Sequence, residues 1–290
     1  MVDSKNKKLK LLITGANGQL GRCLQDVAEK YPGYDFHFKT SKELDITKKV
    51  QINRLFTNEK FDYCINCAAY TAVDKAETDQ ENAFLVNAEG VKYLAVACKI
   101  QNTILIHIST DFVFDGSKTT PYTEEDVPNP INVYGASKLK GERYVQEILD
   151  HYYIIRTSWV YSEYGHNFVK TMLRLGSERD KLVVVDDQLG SPTYAGDLAE
   201  AIIEIIRSRT INYGIYHYTN EGIISWNDFA KAIFEIKEIQ IKVSPISSEE
   251  YSTQAKRPEY SVLGKTTTQQ MLKLNFYEWR YSLISLLNKI

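Results

Sequence analysis

The chain has 290 residues, 43% of them apolar, and carries a formal net charge of -2. That length suits two fused lobes better than one core, and a charge so near neutral offers neither a basic stripe for nucleic acid nor an acidic arm for a partner. The apolar runs are strand-length, which excludes a membrane-spanning helix, and the charged start from Met1 to Lys8 has no apolar stretch behind it long enough for a signal peptide.

Leu9 to Ile13 reads as a buried strand, and Gly15, Gly18 and Gly21 follow it directly. An amphipathic segment through Leu20, Leu24, Val27 and Ala28 then runs on to Lys30. The order is strand, tight turn, helix, with the helix N-terminus opening inside the glycine loop. Unpaired N–H groups and the positive end of the helix dipole make that point a seat for a pyrophosphate. Gly15 makes the turn, Gly18 lets phosphate approach the backbone, and Gly21 lets helix and strand pack closely. The spacing is G-x-x-G-x-x-G rather than G-x-G-x-x-G, so only its context makes it a dinucleotide signal.

Tyr34 to Phe38 alternates as a second strand, ending in Lys39-Thr40-Ser41-Lys42 with no acid before Glu43. A ribose 2′-hydroxyl is ordinarily met by an acid at this tip; two lysines there face either a 2′-phosphate or solvent, so NADPH and NADH both remain open. Asp45 precedes a helix from Lys48 to Phe56, as its N-cap or as a contact to the adenine edge. Phe61 to Asn66 is the next strand, and Cys67, Ala68 and Ala69 leave small side chains at its exit for a flat ligand. Cys64 and Cys67 match C-x-x-C but fall in that strand, not at a helix start, and no second pair completes a zinc site. They read as strand packing in a reducing cytoplasm.

The helix from Asp79 to about Lys99 places Asn87 on its apolar face, where a neighbouring strand's backbone is the expected partner. Ile104 to Ile108 is almost wholly apolar, as strands covered on both faces are. The alternation of strands and helices predicts a doubly wound, Rossmann-type parallel sheet of the α/β class. Ser109-Thr110-Asp111 sits at the carboxyl end of that strand, where such sheets bind ligands. A loop holding Pro121, Pro128 and Pro130 leads to Tyr134-Gly135-Ala136-Ser137-Lys138, which opens a helix to about Leu149.

Tyr134 and Lys138 stand at i and i+4 and share a helix face. A tyrosine phenol, with an ordinary pKa near ~10, is a reluctant acid; a neighbouring ammonium and a cationic nicotinamide pull it towards the working range. Tyr134 then gives a proton to a carbonyl oxygen as hydride reaches its carbon, and Thr110 donates a second hydrogen bond to that oxygen.

The series Gly15-x-x-Gly18-x-x-Gly21, Asn66-Cys67-Ala68-Ala69, Ser109-Thr110 and Tyr134-x-x-x-Lys138 resembles the extended short-chain dehydrogenase/reductases. Within them, Thr71 to Glu77, Ser109 to Gly116 and Asp187-Gln188-x-Gly190-Ser191-Pro192-Thr193 resemble the dTDP-4-dehydrorhamnose reductases, over nearly the whole chain. The resemblance implies reduction of the 4-keto group of dTDP-4-dehydro-6-deoxy-L-mannose to dTDP-L-rhamnose by NADPH or NADH. It implies Tyr134, Lys138 and Thr110 as catalytic residues. Gly15, Asn17, Gly18, Gln19, Leu20, Gly21, Asp45, Ile46, Ala68, Ala69 and Tyr70 would hold the cofactor, together with Tyr134 and Lys138. Thr110, Asp111 and Trp159 would meet the sugar nucleotide. A dehydratase would place an Asp-Glu pair after the threonine, whereas Asp111 and Phe112 follow Thr110 here. The competing reading is a non-catalytic NADP-binding subunit of the same fold.

Tyr153 to Thr157 is a further sheet strand with Trp159 at its exit, and His166, just before the next helix, reads as a cap or surface residue. Residues 1–170 form the expected dinucleotide-binding domain, with 193–212 packing back on it, and 171–290 form most of a smaller α/β substrate lobe. Helices are expected near Ser225–Ile236, Thr266–Leu272 and Glu278–Leu287. Arg257 suits a diphosphate clamp through its planar fork. The helix after Thr193 begins Tyr194-Ala195-Gly196-Asp197, without the glutamate that family members use for magnesium at a dimer contact. No metal is therefore expected, and a homodimer remains open.

Overall fold

Leu11, Leu12 and Ile13 are fully buried, and alternate side chains enter two different cores. They lie in the first strand of a computed structural model that describes residues 8–290; residues 1–7, which hold most of the charged start, lie outside the described residues. The chain runs β1 (Leu9–Thr14), α1 (Gln19–Ala28), β2 (Tyr34–Lys39), α2 (Lys49–Asn58) and β3 (Tyr63–Asn66). Short helices α3 (Val73–Ala76) and α4 (Gln80–Phe84) follow, and α4 passes through a π-helical turn, Leu85–Gly90, into α5 (Val91–Gln101). Next come β4 (Ile104–Thr110), α6 (Val133–Ile148) and β5 (Tyr152–Thr157).

Six parallel strands pair in the order β10-β5-β4-β3-β1-β2, β10 being Gly214–His217 further along the chain. From β1 the chain steps outward to β2, then returns on the other side as β3. This reversal opens a crevice at the carboxyl ends of β1 and β3. Leu24 and Val27 of α1 cover one face beside Leu198 and Ile202, while Ile52, Leu94 and Val145 cover the other.

The remaining elements are β6 (Val160–Tyr161), α7 (Phe168–Glu178), β7 (Lys181–Val185), β8 (Leu189–Gly190), β9 (Thr193–Tyr194) and α8 (Ala195–Ser208). After β10 come β11 (Ile224–Ser225), α9 (Trp226–Ile236), β12 (Lys242–Ile246), α10 (Thr266–Leu272) and α11 (Trp279–Leu287). A third core, away from the two that flank the large sheet, gathers Val169, Met172, Leu182, Phe229, Ile233 and Leu283 from α7, β7, α9 and α11. Ser225 and Asp228 close a capping box that starts α9. α8 packs back on α1.

Several local expectations change. β10 lies at the edge of the large sheet, paired with β5. α7 packs on α9 from Phe168 onward, inside the third core. Asp45 does not cap α2: Lys48 holds that position without a side-chain bond, and Asp45 Oδ1 accepts from the N–H and hydroxyl of Thr47 at 2.9 and 2.7 Å. His166 is exposed, and the cap of α7 is Asn167, which accepts from the Lys170 N–H at 3.1 Å. The expected helix from Asp79 is broken by the π turn.

Candidate active site

The turn after β1 is built on contacts that tolerate only glycine. Gly15 adopts φ +65°, and a Cβ there would stand 2.6 Å from the Ala68 amide nitrogen. A Cβ at Gly21 would stand 2.5 Å from the Gly15 carbonyl oxygen. The loops leaving β1 and β3 therefore touch backbone to backbone at the reversal point. Gly18 begins α1 with no side-chain cap and no acid in the first turn, so its leading N–H groups face outward for an anion. That cradle fits a dinucleotide pyrophosphate.

Asn17 and Gly18 are exposed at this mouth, whereas the side chains of Leu20 and Ile46 enter the cores and leave only their backbones near a ligand. Gln19 points elsewhere. Its Oε1 accepts from Ser162 Oγ at 3.0 Å and Asn167 Nδ2 at 2.9 Å, and its Nε2 donates to the Val160 carbonyl at 3.3 Å. The residue thus ties α1 to the segment before α7. Ala68, Ala69 and Tyr70 are half-buried where β3 ends, and Asp45 is half-buried after β2. Asn87 holds Tyr70 in place, accepting from its N–H at 2.8 Å and donating to its carbonyl at 3.0 Å and to Ser137 Oγ at 2.9 Å. Its partners are a loop and α6, not the strand backbone expected. Lys39, Lys42 and Arg54 line a cavity of about 410 Å³ together with Glu43 and Glu59. Cys64 is fully buried in β3, the four cysteines are free, and burial pushes the Cys67 thiol up, against redox reactivity.

Thr110, Tyr134 and Lys138 converge at the end of β4. Asn132 caps α6 by accepting from the Gly135 N–H at 2.8 Å, which fixes the first turn that carries Tyr134. The Tyr134 ring meets Phe112 edge-on at 5.8 Å. Thr110 donates to Asp111 Oδ1 at 3.0 Å. Lys138 is buried and donates to the Ile108 carbonyl at 2.5 Å.

Electrostatics here run against the expectation that Lys138 lowers Tyr134. Burial pushes the phenol up to about 12, the Thr110 hydrogen bond pulls it down, and the Asp111 charge raises it further. Burial pushes Lys138 down to about 8, opposed by Glu142 and Cys67. The buried Asp111 carboxyl rises to about 6, because burial outweighs the hydrogen bond it accepts from Thr110, and its Oδ2 has no hydrogen-bond partner among the described residues.

A pocket of about 740 Å³ adjoins this cluster, with Phe112 and Ser261 on its floor and Trp159, Trp226 and Arg257 on its walls. The indoles of Trp159 and Trp226 stack 3.5 Å apart at 9°. Trp159 takes φ +48°, and a Cβ at Gly190 would lie 2.6 Å from its ring. Arg257 meets Asp74 through both Nη atoms, at 3.1 and 2.7 Å. Trp226 and the Asp74 partnership had no distinguishing sequence signal: a tryptophan after a capping serine reads as core, and Asp74 lies 183 residues from Arg257.

The family model described as RmlD substrate binding domain matches residues 9–290. The chain is 45% identical over 284 residues to a dTDP-4-dehydrorhamnose reductase of Aggregatibacter actinomycetemcomitans, covering 94% of this chain and 97% of that one. Among solved structures, dTDP-4-dehydrorhamnose reductase from Bacillus anthracis in complex with NADP superposes with a TM-score of 0.93 at 42% identity, covering 98% of this chain and 100% of that one. A dTDP-4-dehydrorhamnose reductase from Clostridium acetobutylicum does so with 0.93 at 43% identity, covering 97% and 99%.

Proposed function

The chain belongs to the dTDP-4-dehydrorhamnose reductase family, and we propose that Tyr134, Thr110 and Lys138 carry the family's reaction in it. It is an NAD(P)H-dependent oxidoreductase that reduces the 4-keto group of dTDP-4-dehydro-6-deoxy-L-mannose to give dTDP-L-rhamnose. The observation that carries the assignment of roles is the placing of Tyr134 and the buried Lys138 one turn apart on α6, against Thr110 at the end of β4 and beside a pocket lined by Trp159.

The nicotinamide cofactor, when bound, supplies the hydride. The leading N–H groups of α1, with Gly15, Gly18 and Gly21, would hold its pyrophosphate, and Ala68, Ala69 and Tyr70 would flank its middle. Lys39 and Lys42 favour a 2′-phosphate and hence NADPH. Tyr134 stays protonated at neutral pH because burial holds its pKa high, and reduction needs that form. An alkoxide growing at sugar C4 is a far stronger base than a phenolate, so it takes the phenolic proton. Thr110 supports the same oxygen by hydrogen bonding. The Lys138 charge steadies the phenolate left behind. Asp111 Oδ2 is free to accept a sugar hydroxyl, and Trp159, stacked on Trp226, lines the pocket for the sugar. Arg257 is the diphosphate clamp, its guanidinium oriented at the pocket wall by the ion pair with Asp74.

Purified protein supplied with dTDP-4-dehydro-6-deoxy-L-mannose should oxidise NADPH, followed by loss of its absorbance, and release dTDP-L-rhamnose. Failure to oxidise either NADPH or NADH would leave the non-catalytic reading in its place.

A further inference from the structure

We propose that Glu142 is a positioning residue for this reduction, the buried Ser109–Glu142–Arg156 cluster fixing its charge one helical turn from Lys138 so that Lys138 stays an ammonium; the role rests on the reductase reading above. Tyr134, Lys138 and Glu142 are spaced by four along α6 and form one stripe. Glu142 is fully buried and Arg156 is 1% exposed. Ser109 Oγ donates to Glu142 Oε1 at 2.5 Å, and Arg156 donates through Nε to Oε1 at 3.0 Å and through Nη2 to Oε2 at 2.7 Å. The Phe114 ring lies 5.1 Å from the guanidinium.

Two arguments make this more than packing. A buried ion pair loses solvation that its attraction rarely returns, and apolar residues of the same volume commonly stabilise as well or better. The second concerns Lys138, whose ammonium is buried and donates to a neutral carbonyl at Ile108. The groups around it are Tyr134 and Glu142 on α6, His107, Thr110 and Asp111 along β4, Cys67 after β3, and Arg156 on β5 beyond Glu142. Burial and the Lys138 charge itself keep His107 neutral, and burial keeps Cys67 a thiol. Asp111 is engaged by Thr110. Glu142 is the carboxylate that opposes the desolvation of Lys138.

Lys138 acts as an ammonium, so turnover falls as pH rises through its pKa. Removing a nearby negative charge lowers that pKa and moves the alkaline limb of kcat to lower pH. The experiment follows kcat against pH at saturating NADPH and sugar nucleotide for the parent chain, Glu142→Gln, Glu142→Asp and the double variant Glu142→Leu with Arg156→Met. In Glu142→Gln the limb should move down by at least about one pH unit, and in the double variant it should move down by less, because losing the more distant Arg156 charge offsets part of the change, while Glu142→Asp, which keeps the charge, holds the parent limb. A limb unmoved in Glu142→Gln, or equal losses at every pH in the Gln and Asp variants, overturns the role. If Glu142→Gln does not fold by thermal melting, the double variant, with neither charge left unpaired, decides between the same two results. A parent chain without turnover at any pH overturns the reductase reading itself; an active parent whose variants keep its limb overturns only the role of Glu142.

Discussion

Tyr134 is held through its ring, which Phe112 meets edge-on at 5.8 Å. Tyr134→Phe preserves the ring contact and removes only the proton donor. Its kcat should fall by ~10²–10⁴-fold, as loss of a general acid does, with NADPH affinity within about twofold of the parent. Steady-state kinetics and fluorescence titration measure the two; unchanged turnover would remove Tyr134 from the chemistry. The i, i+4 spacing to Lys138 was legible because helical geometry alone puts both on one face. What it could not show was burial. The Lys138 ammonium is spent on the Ile108 carbonyl, and the phenol rises instead of falling. The same stripe continues to Glu142 at the next four-residue step, so the spacing was there to read. Its significance depended on Ser109 and Arg156, which other strands bring in.

The turn between β1 and α1 binds its own glycines more tightly than a loop ordinarily would, because the end of β3 presses on it. Gly15→Ala combines a left-handed residue, at about 1–2 kcal/mol, with a backbone clash costing about 1–3 kcal/mol. The sum, roughly 2–5 kcal/mol, should appear in urea unfolding, alongside at least about tenfold weaker NADPH binding. Gly33, where a Cβ would meet nothing within 4 Å, serves as control: Gly33→Ala should stay within about 0.5 kcal/mol of the parent. Equal stability of the two variants would show that the Ala68 contact gives way freely. Strand, turn and helix were legible here because their signals are local. The π turn at Leu85–Gly90 was not: it inserts part of a turn into an unbroken apolar pattern so that Asn87 can reach both Tyr70 and Ser137.

Across the whole molecule, the doubly wound sheet was legible from alternating periodicity, but the path by which the chain returns to it was not. Gly214-Ile215-Tyr216-His217 is short and half-polar, and only pairing with β5 makes it the last strand. His217 shows why it belongs there. Its N–H donates to Thr268 Oγ1 at 2.9 Å and its Nδ1–H to the Gly264 carbonyl at 3.0 Å, so the sheet edge and the C-terminal segment meet on one residue. Phe114 packs edge-on at 6.0 Å. Burial, then the Arg156 charge, pushes His217 down to about 3, well below the ~6.5 of an unfolded histidine. The folded chain therefore holds His217 neutral where the unfolded chain protonates it. Its contribution to stability is complete above about pH 6.5 and is lost as pH falls towards 3. His107 acts with the same sign, and Asp111, raised to about 6, with the opposite one. A difference between variants isolates the effect. Between about pH 6 and pH 4, the unfolding free energy of the parent should fall more steeply than that of His217→Gln, by about 1.4 kcal/mol per pH unit. Urea titrations across that range measure both slopes; parallel slopes would mean that His217 takes up its proton without unfolding.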